Sequence, residues 1–203
     1  MSVAALALCV GLVACSADAE ASKGAEQTTT SSPAPRATTG GDASTDPGSD
    51  TADQPVAKIE RAGHTTAPTI SAEPADTGAP VTYDDGVTVR IDDVSFAKET
   101  AQGPGSFPDR EYARLTITIT NGSTAKIDLG TSVLTLLDAS GTAAVRVYAA
   151  EAEAVDFAGV LAAGKSATAS YAFALPSDAR DDVALVVDFD GDHSSAVFRG
   201  GLD

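Results

Sequence analysis

Between residues 81 and 203 the chain alternates apolar and polar side chains with a period of two, the repeat that turns successive side chains to opposite faces of a strand. The clearest run is Tyr112-Ala113-Arg114-Leu115-Thr116-Ile117-Thr118-Ile119-Thr120. Its Ala113, Leu115, Ile117 and Ile119 share one face, while Arg114, Thr116, Thr118 and Thr120 share the other. That predicts a half-buried strand in an antiparallel sheet, closed by the turn signal Asn121-Gly122. Val87, Val89 and Ile91 predict another, entered through Asp84-Asp85-Gly86. Further strands are predicted over 132–137, over 143–148 with Val145 and Val147 on one side, and through Ala167, Ala169, Tyr171, Phe173 and Leu175. Val183, Leu185, Val187 and Phe189 form the next, and 196–199 the last. Helical spacing is confined to a short stretch over 149–158. Seven or eight short strands without crossover helices predict an all-β fold. The expected architecture is an Ig-like antiparallel β-sandwich lacking the Cys–Trp–Cys marker of true immunoglobulin domains.

Residues 16–80 follow another pattern. Of these 65 positions 45 are Ala, Ser, Thr, Pro or Gly, and only Val56, Ile59 and Ile70 are large and apolar. Such a stretch buries too little surface to offset an ordering cost of about 1–2 kcal/mol per residue, which predicts a disordered tether. The run Thr28-Thr29-Thr30-Ser31-Ser32-Pro33 reads either as an O-glycosylation substrate or as bare polar linker.

The first fifteen residues, MSVAALALCVGLVAC, contain no charged side chain. Their apolar run is shorter than the roughly 20 residues a spanning helix requires, and matches a signal-peptide core. It ends in Leu12-Val13-Ala14-Cys15, which resembles the lipobox of bacterial lipoproteins. That resemblance implies cleavage after Ala14 and a lipid on the thiol of Cys15. The departure is the lack of a Lys or Arg before the run. A buried core helix is the alternative, but the segment that follows offers it nothing to pack on. The expected organisation is therefore a signal peptide at 1–14, a lipidated Cys15 with its tether at 15–80, and the sandwich at 81–203.

The order of turns and strands also resembles a family. Tyr83-Asp84-Asp85-Gly86-Val87-Thr88-Val89, the strand ending Asn121-Gly122, and Leu161-Ala162-Ala163-Gly164-Lys165-Ser166 leading to Tyr171-Ala172-Phe173-Ala174-Leu175-Pro176 are similar to an Ig-like domain of unknown function. That domain occurs in bacterial lipoproteins of actinobacterial type, and its fold is like that of a secreted mycobacterial immunogenic antigen. Ala163 stands where the family usually has Pro. The resemblance implies fold and an extracytoplasmic, lipid-anchored location, and no catalytic residue.

Composition narrows the chemistry. Thirteen Lys and Arg face 29 Asp and Glu, a formal charge of −16. The chain therefore lacks the basic stripe of a nucleic-acid binder. Both cysteines lie within the first fifteen residues, so the folded part has no thiol for a disulfide or a zinc site. No cofactor is expected.

Two clusters remain. Asp192-His193-Ser194 holds the residue types of a hydrolase triad, but as sequence neighbours; a solvated hairpin turn explains them better, and no enzyme is expected. Asp188-Phe189-Asp190-Gly191-Asp192 sets carboxylates at alternate positions, which suits Ca²⁺. Asp188, Asp190 and Asp192 are thus candidate metal ligands, against the plainer reading of a charged edge strand. In the loop 99–110, Phe107 is either an exposed contact or, as favoured, a plug for the end of the sandwich. The partners expected are the membrane, through the lipid, and an envelope protein or glycan. The alternative is an ion-sensing module built on the three aspartates.

Overall fold

A computed structural model of the protein describes residues 54–64, 67–103 and 106–202. The lipobox with Cys15 and the tether up to residue 53 lie outside the described residues. Among those described, no helix is long and apolar enough to cross a membrane.

The longest pair of strands is the one with the strongest alternation. β3 (Val87–Lys98) and β4 (Glu111–Asn121) run antiparallel, with β2 (Val81–Thr82) on the outer side of β3 and β8 (Ser166–Ala174) on the far side of β4. The second sheet has the order β1 (Ala75–Asp76), β10 (Ala196–Gly200), β9 (Val183–Asp188), β6 (Val133–Leu137). All pairings in it are antiparallel except β1 with β10. A two-stranded piece, β5 (Ile127–Asp128) with β7 (Val160–Leu161), closes one flank. The result is an all-β, Ig-like antiparallel β-sandwich, as the alternation predicts.

The core is where the two inner faces meet. Leu115, Ile117 and Ile119 of β4 and Tyr171 and Phe173 of β8 pack in one cluster with Leu185 and Val187 of β9 and Phe198 of β10. Burying each such side chain contributes about 1.5–3 kcal/mol. In β3 the register slips between Ile91 and Asp93, so Asp92 is an extra residue. Such a bulge bends a strand and raises its twist. The Asp92 carboxylate accepts from Thr118 Oγ1 at 2.5 Å and pairs with Arg90 Nε at 2.8 Å.

Four expectations change. The helix expected over 149–158 is a single 3₁₀ turn, Ala150–Ala152, followed by Glu153 at φ 48°. Its Ala152 buries a small second cluster with Tyr112, Val147 and Ala172 on the outer face. The strand expected over 143–148 is a looser edge beside β8, held by Val147 N–H to Ala172 O and Ala174 N–H to Val145 O. Val147 is buried there and Val145 is exposed. Phe107 is not a plug: it is 56% exposed, with the Arg110 guanidinium 4.3 Å above its ring. What closes that loop is the buried Glu99, which takes Arg110 Nε at 2.6 Å and the Phe107 N–H at 3.2 Å.

The fourth change is the domain boundary. Residues 54–64 and 67–80, expected to be tether, lie against the sandwich. β1 adds an edge to the second sheet, Ile70 bridges to His193, and Lys58 and Arg61 reach Asp188. The ordering cost of this polar stretch is offset by backbone pairing, by a buried ion-pair network, and by Ile70, Ala72 and Ala75, which pack against the core.

Candidate functional site

The last residue of β9 is Asp188, and the aspartate cluster built around it differs from both sequence readings. β9 lies between β10 and β6, so it is an interior strand, not a charged edge. Asp188 is only 4% exposed. An isolated carboxylate at such a position carries a heavy desolvation penalty unless it is paired and hydrogen-bonded. Here it is both. Lys58 Nζ lies 2.6 Å and Arg61 Nη1 2.8 Å from Oδ1, and the Ile59 N–H donates to Oδ2 at 2.7 Å. All three partners come from the segment before β1, which forms a strap across the end of the sheet.

Beyond Asp188 the chain turns through Phe189, Asp190, Gly191 and Asp192 into His193. That turn is solvated only in part: Asp192 is exposed, whereas His193, Ser194 and Ser195 are all buried. The imidazole is held at both nitrogens: Nδ1 is 2.6 Å from Asp190 Oδ2, and Nε2 is 3.0 Å from Asp85 Oδ2. Asp85 belongs to the turn between β2 and β3, so His193 ties the two sheets together. Tyr83 and Phe189 flank the ring, with centroids 4.9 and 5.0 Å away. The Tyr83 hydroxyl donates to Ser194 O at 2.7 Å.

Burial by itself opposes a charged imidazole, but the hydrogen bonds and charges of Asp190 and Asp85 outweigh it and raise His193 above its ordinary value. For Asp190 burial pushes upward, and the bonds from the His193 side chain and the His193 and Asp192 backbone bring the net shift down. Tyr83 is raised, first by burial and then by the charge of Asp190.

This geometry settles where the candidate residues go. Asp192, His193 and Ser194 do not converge as a triad. The His193 nitrogens are committed to two carboxylates, Ser194 Oγ accepts from the Ala72 N–H at 3.2 Å, and Asp192 pairs with His64 Nδ1 at 3.2 Å. Asp188, Asp190 and Asp192 do lie close along the turn, but they do not form an open oxygen cage. Asp188 is taken by an ammonium and a guanidinium, and Asp190 by an imidazole. Among the described residues no group of His, Cys, Asp or Glu is arranged to hold a metal ion. The calcium reading therefore meets no open set of carboxylates here.

Two surface grooves flank the turn. One, of about 430 Å³, is lined by Ile70, Asp85, Lys126, Ile127, Asp190 and His193, among others. The second, of about 410 Å³, lies on the strap side between Arg61, His64, Lys126, Thr131 and Asp192. Lys58 and Arg61 are site residues that sequence reasoning missed, and His64, which the tether reading leaves without a fixed partner, pairs with Asp192. The available signal was the clustering of Val56, Lys58, Ile59 and Arg61, bulky or basic residues within a tract of small ones.

The fold and this end of it define a β-sandwich protein with an ion-paired N-terminal strap. No protein-family model matches the chain, and no curated protein matches it in sequence. Among solved structures it is similar to the yjhA protein from Bacillus subtilis, at 16% identity and a TM-score of 0.52, over 64% of this chain and 99% of that one. A more distant likeness is to an uncharacterised β-sandwich protein from Clostridium difficile 630, at 11% identity and a TM-score of 0.39, over 63% of this chain and 93% of that one. The likeness to the Bacillus protein is one of fold.

Proposed function

We propose that this protein is a lipid-anchored extracytoplasmic lipoprotein that presents its sandwich as a non-enzymatic binding module for an envelope protein or glycan. The observation that carries the reading is the sequence Leu12-Val13-Ala14-Cys15 at the end of an uncharged apolar run too short to span a bilayer. The resemblance of the turns and strands to the Ig-like domain of actinobacterial-type lipoproteins supports it. So does the site: a histidine locked between two carboxylates is suited to hold shape rather than to move protons, and the grooves beside it offer mixed polar and apolar contact. Acyl chains on Cys15 anchor by burial worth about 0.8 kcal/mol per CH₂, and several chains on one residue give stable attachment.

The anchor is tested by fractionating Cys15→Ala against the wild type, with mass spectrometry of the mature N-terminus. Release of the variant into the soluble fraction and a lipid mass on wild-type Cys15 are expected; a variant that stays with the membrane overturns the reading. The binding role is tested by pull-down from envelope extracts with the chain from residue 16 onward. Loss of the captured partner on substitution at Lys126 is expected, and capture indifferent to changes along both grooves argues against this face.

A further inference from the structure

Arg61 has a full set of acceptors, and nearly all of them belong to the sandwich. Nε donates to Thr131 Oγ1 at 3.0 Å, and Nη2 to Thr131 O and Asp188 O, both at 3.0 Å. Nη1 donates to Asp188 Oδ1 at 2.8 Å and to Asp190 O at 2.6 Å; its contact with Ile59 O, at 3.2 Å, is the one made within the strap. The guanidinium is thus held in its plane from several sides, and its side chain is only 7% exposed. Lys58 Nζ reaches Asp188 Oδ1 and Asp190 O, each at 2.6 Å. Residues 131–190 therefore supply a notch that holds a lysine and an arginine three positions apart. Planar, multidentate recognition of this kind distinguishes arginine from a generic cation.

The strap is tied to the sheet at Ile70, whose N–H donates to Asp192 O at 3.1 Å. The nine steps of chain from Arg61 to Ile70 reach about 30 Å when extended. That is far enough for the strap to leave its own notch and enter that of an adjacent molecule. Every acceptor it meets there is identical to the one it left, so the exchange conserves the ion pairs and the hydrogen bonds to Thr131, Asp188 and Asp190. The long-range charge of two such acidic chains is repulsive, and Lys58 and Arg61 are the cations that cross toward the partner's acidic notch.

We infer that the Asp188 notch is a docking site for a Lys-x-x-Arg segment, and that a second copy of this chain supplies it by exchange of residues 58–61. In dilute solution the chain's own strap wins, because a short link gives it an effective concentration of about millimolar. Exchange takes over when copies are crowded or when the intramolecular closure is disabled.

The test uses two full-length variants that fail to close in complementary ways. Lys58→Ala/Arg61→Ala keeps the notch and loses the strap's cations; Asp188→Lys keeps the strap and repels it from its own notch. By sedimentation, neither variant alone should gain mass over the wild type, while an equimolar mixture should form a heterodimer that dissociates as salt is raised. A peptide spanning residues 54–64, fluorescently labelled, provides the same readout without the second variant. It should bind Lys58→Ala/Arg61→Ala saturably and the wild type at least tenfold more weakly. Failure of the peptide to bind that folded variant, equal binding to the wild type, or a mixture of two folded variants that does not associate overturns the proposal.

Discussion

The Arg61 guanidinium and the Asp188 carboxylate meet at 2.8 Å across 127 positions of sequence. Both side chains are nearly excluded from solvent, so neither charge is screened as a surface pair would be. Removing one partner of such a pair strands the other, which typically costs about 3–5 kcal/mol. Arg61→Ala leaves Lys58 and the Ile59 N–H on Asp188, so the expected loss is smaller, about 1–3 kcal/mol. Urea unfolding measures it. Limited proteolysis should show earlier cleavage between residues 54 and 70 in the variant, with the sandwich intact.

His193 makes stability depend on pH in a direction the geometry sets. Its value is raised on folding, so the stabilisation it brings is complete below the ordinary imidazole value near 6.5 and is lost as pH climbs through the raised one. Asp190 is lowered on folding, so its contribution is present above the ordinary carboxylate range and fades as pH falls through the lowered value. The clasp therefore holds best in mildly acidic solution. Unfolding midpoints of the wild type should decline from about pH 6 toward the alkaline side. His193→Gln should flatten that limb, and a wild type with no such decline would contradict the assignment.

The period-two reading of β4 and the structure agree because that strand's identity is local: four β-branched or aliphatic residues on one face meet a core of like size. The strap was illegible for the opposite reason. Nothing near Lys58 or Arg61 in sequence reports the carboxylate that holds them, and averaging over a tract of Ala, Ser, Thr and Pro hides four bulky or basic positions. Asp188, Asp190 and Asp192 look like one acidic cluster in sequence because alternation describes strand faces and says nothing of which strand lies inside the sheet. Phe107 escaped too, since the same sequence serves a plug or a tip, and the buried Glu99–Arg110 pair decides between them.

Glycine is required where two turns touch. A methyl group on Gly122 would run into the backbone carbonyl of Gly86, itself at φ 93°. The neighbouring Asn121 is wholly buried and donates to Ala125 O at 2.8 Å and Leu161 O at 3.2 Å, so this turn has little room to yield. Gly122→Ala should lower stability by about 1–3 kcal/mol, and thermal melting of the two proteins side by side measures it.

Ser195 offers the opposite sign. Its hydroxyl is buried and has no hydrogen-bond partner among the described residues. Ser195→Ala removes that unsatisfied group and should raise stability by about 1 kcal/mol, read from the denaturant midpoint.

Calcium supplies a control for the aspartate turn. Because Asp188 already faces an ammonium and a guanidinium and Asp190 an imidazole, added Ca²⁺ and then EDTA should leave the melting midpoint of the wild type unchanged. A calcium-dependent rise would restore the reading of these aspartates as metal ligands.

The strap also determines how the protein answers to mechanical tension. A pull applied upstream of Gln54 reaches the Lys58 and Arg61 pairs first, then the turn from Arg61 to His64, then the bridge from Ile70 to His193, and only afterwards β1 on β10. The load is met in sequence order by links outside the core. Under force spectroscopy the molecule should therefore lengthen in a short, early, salt-sensitive step before the sheets part. On that expectation the segment gives way as a fuse does, baring Asp188 while the sandwich is still whole.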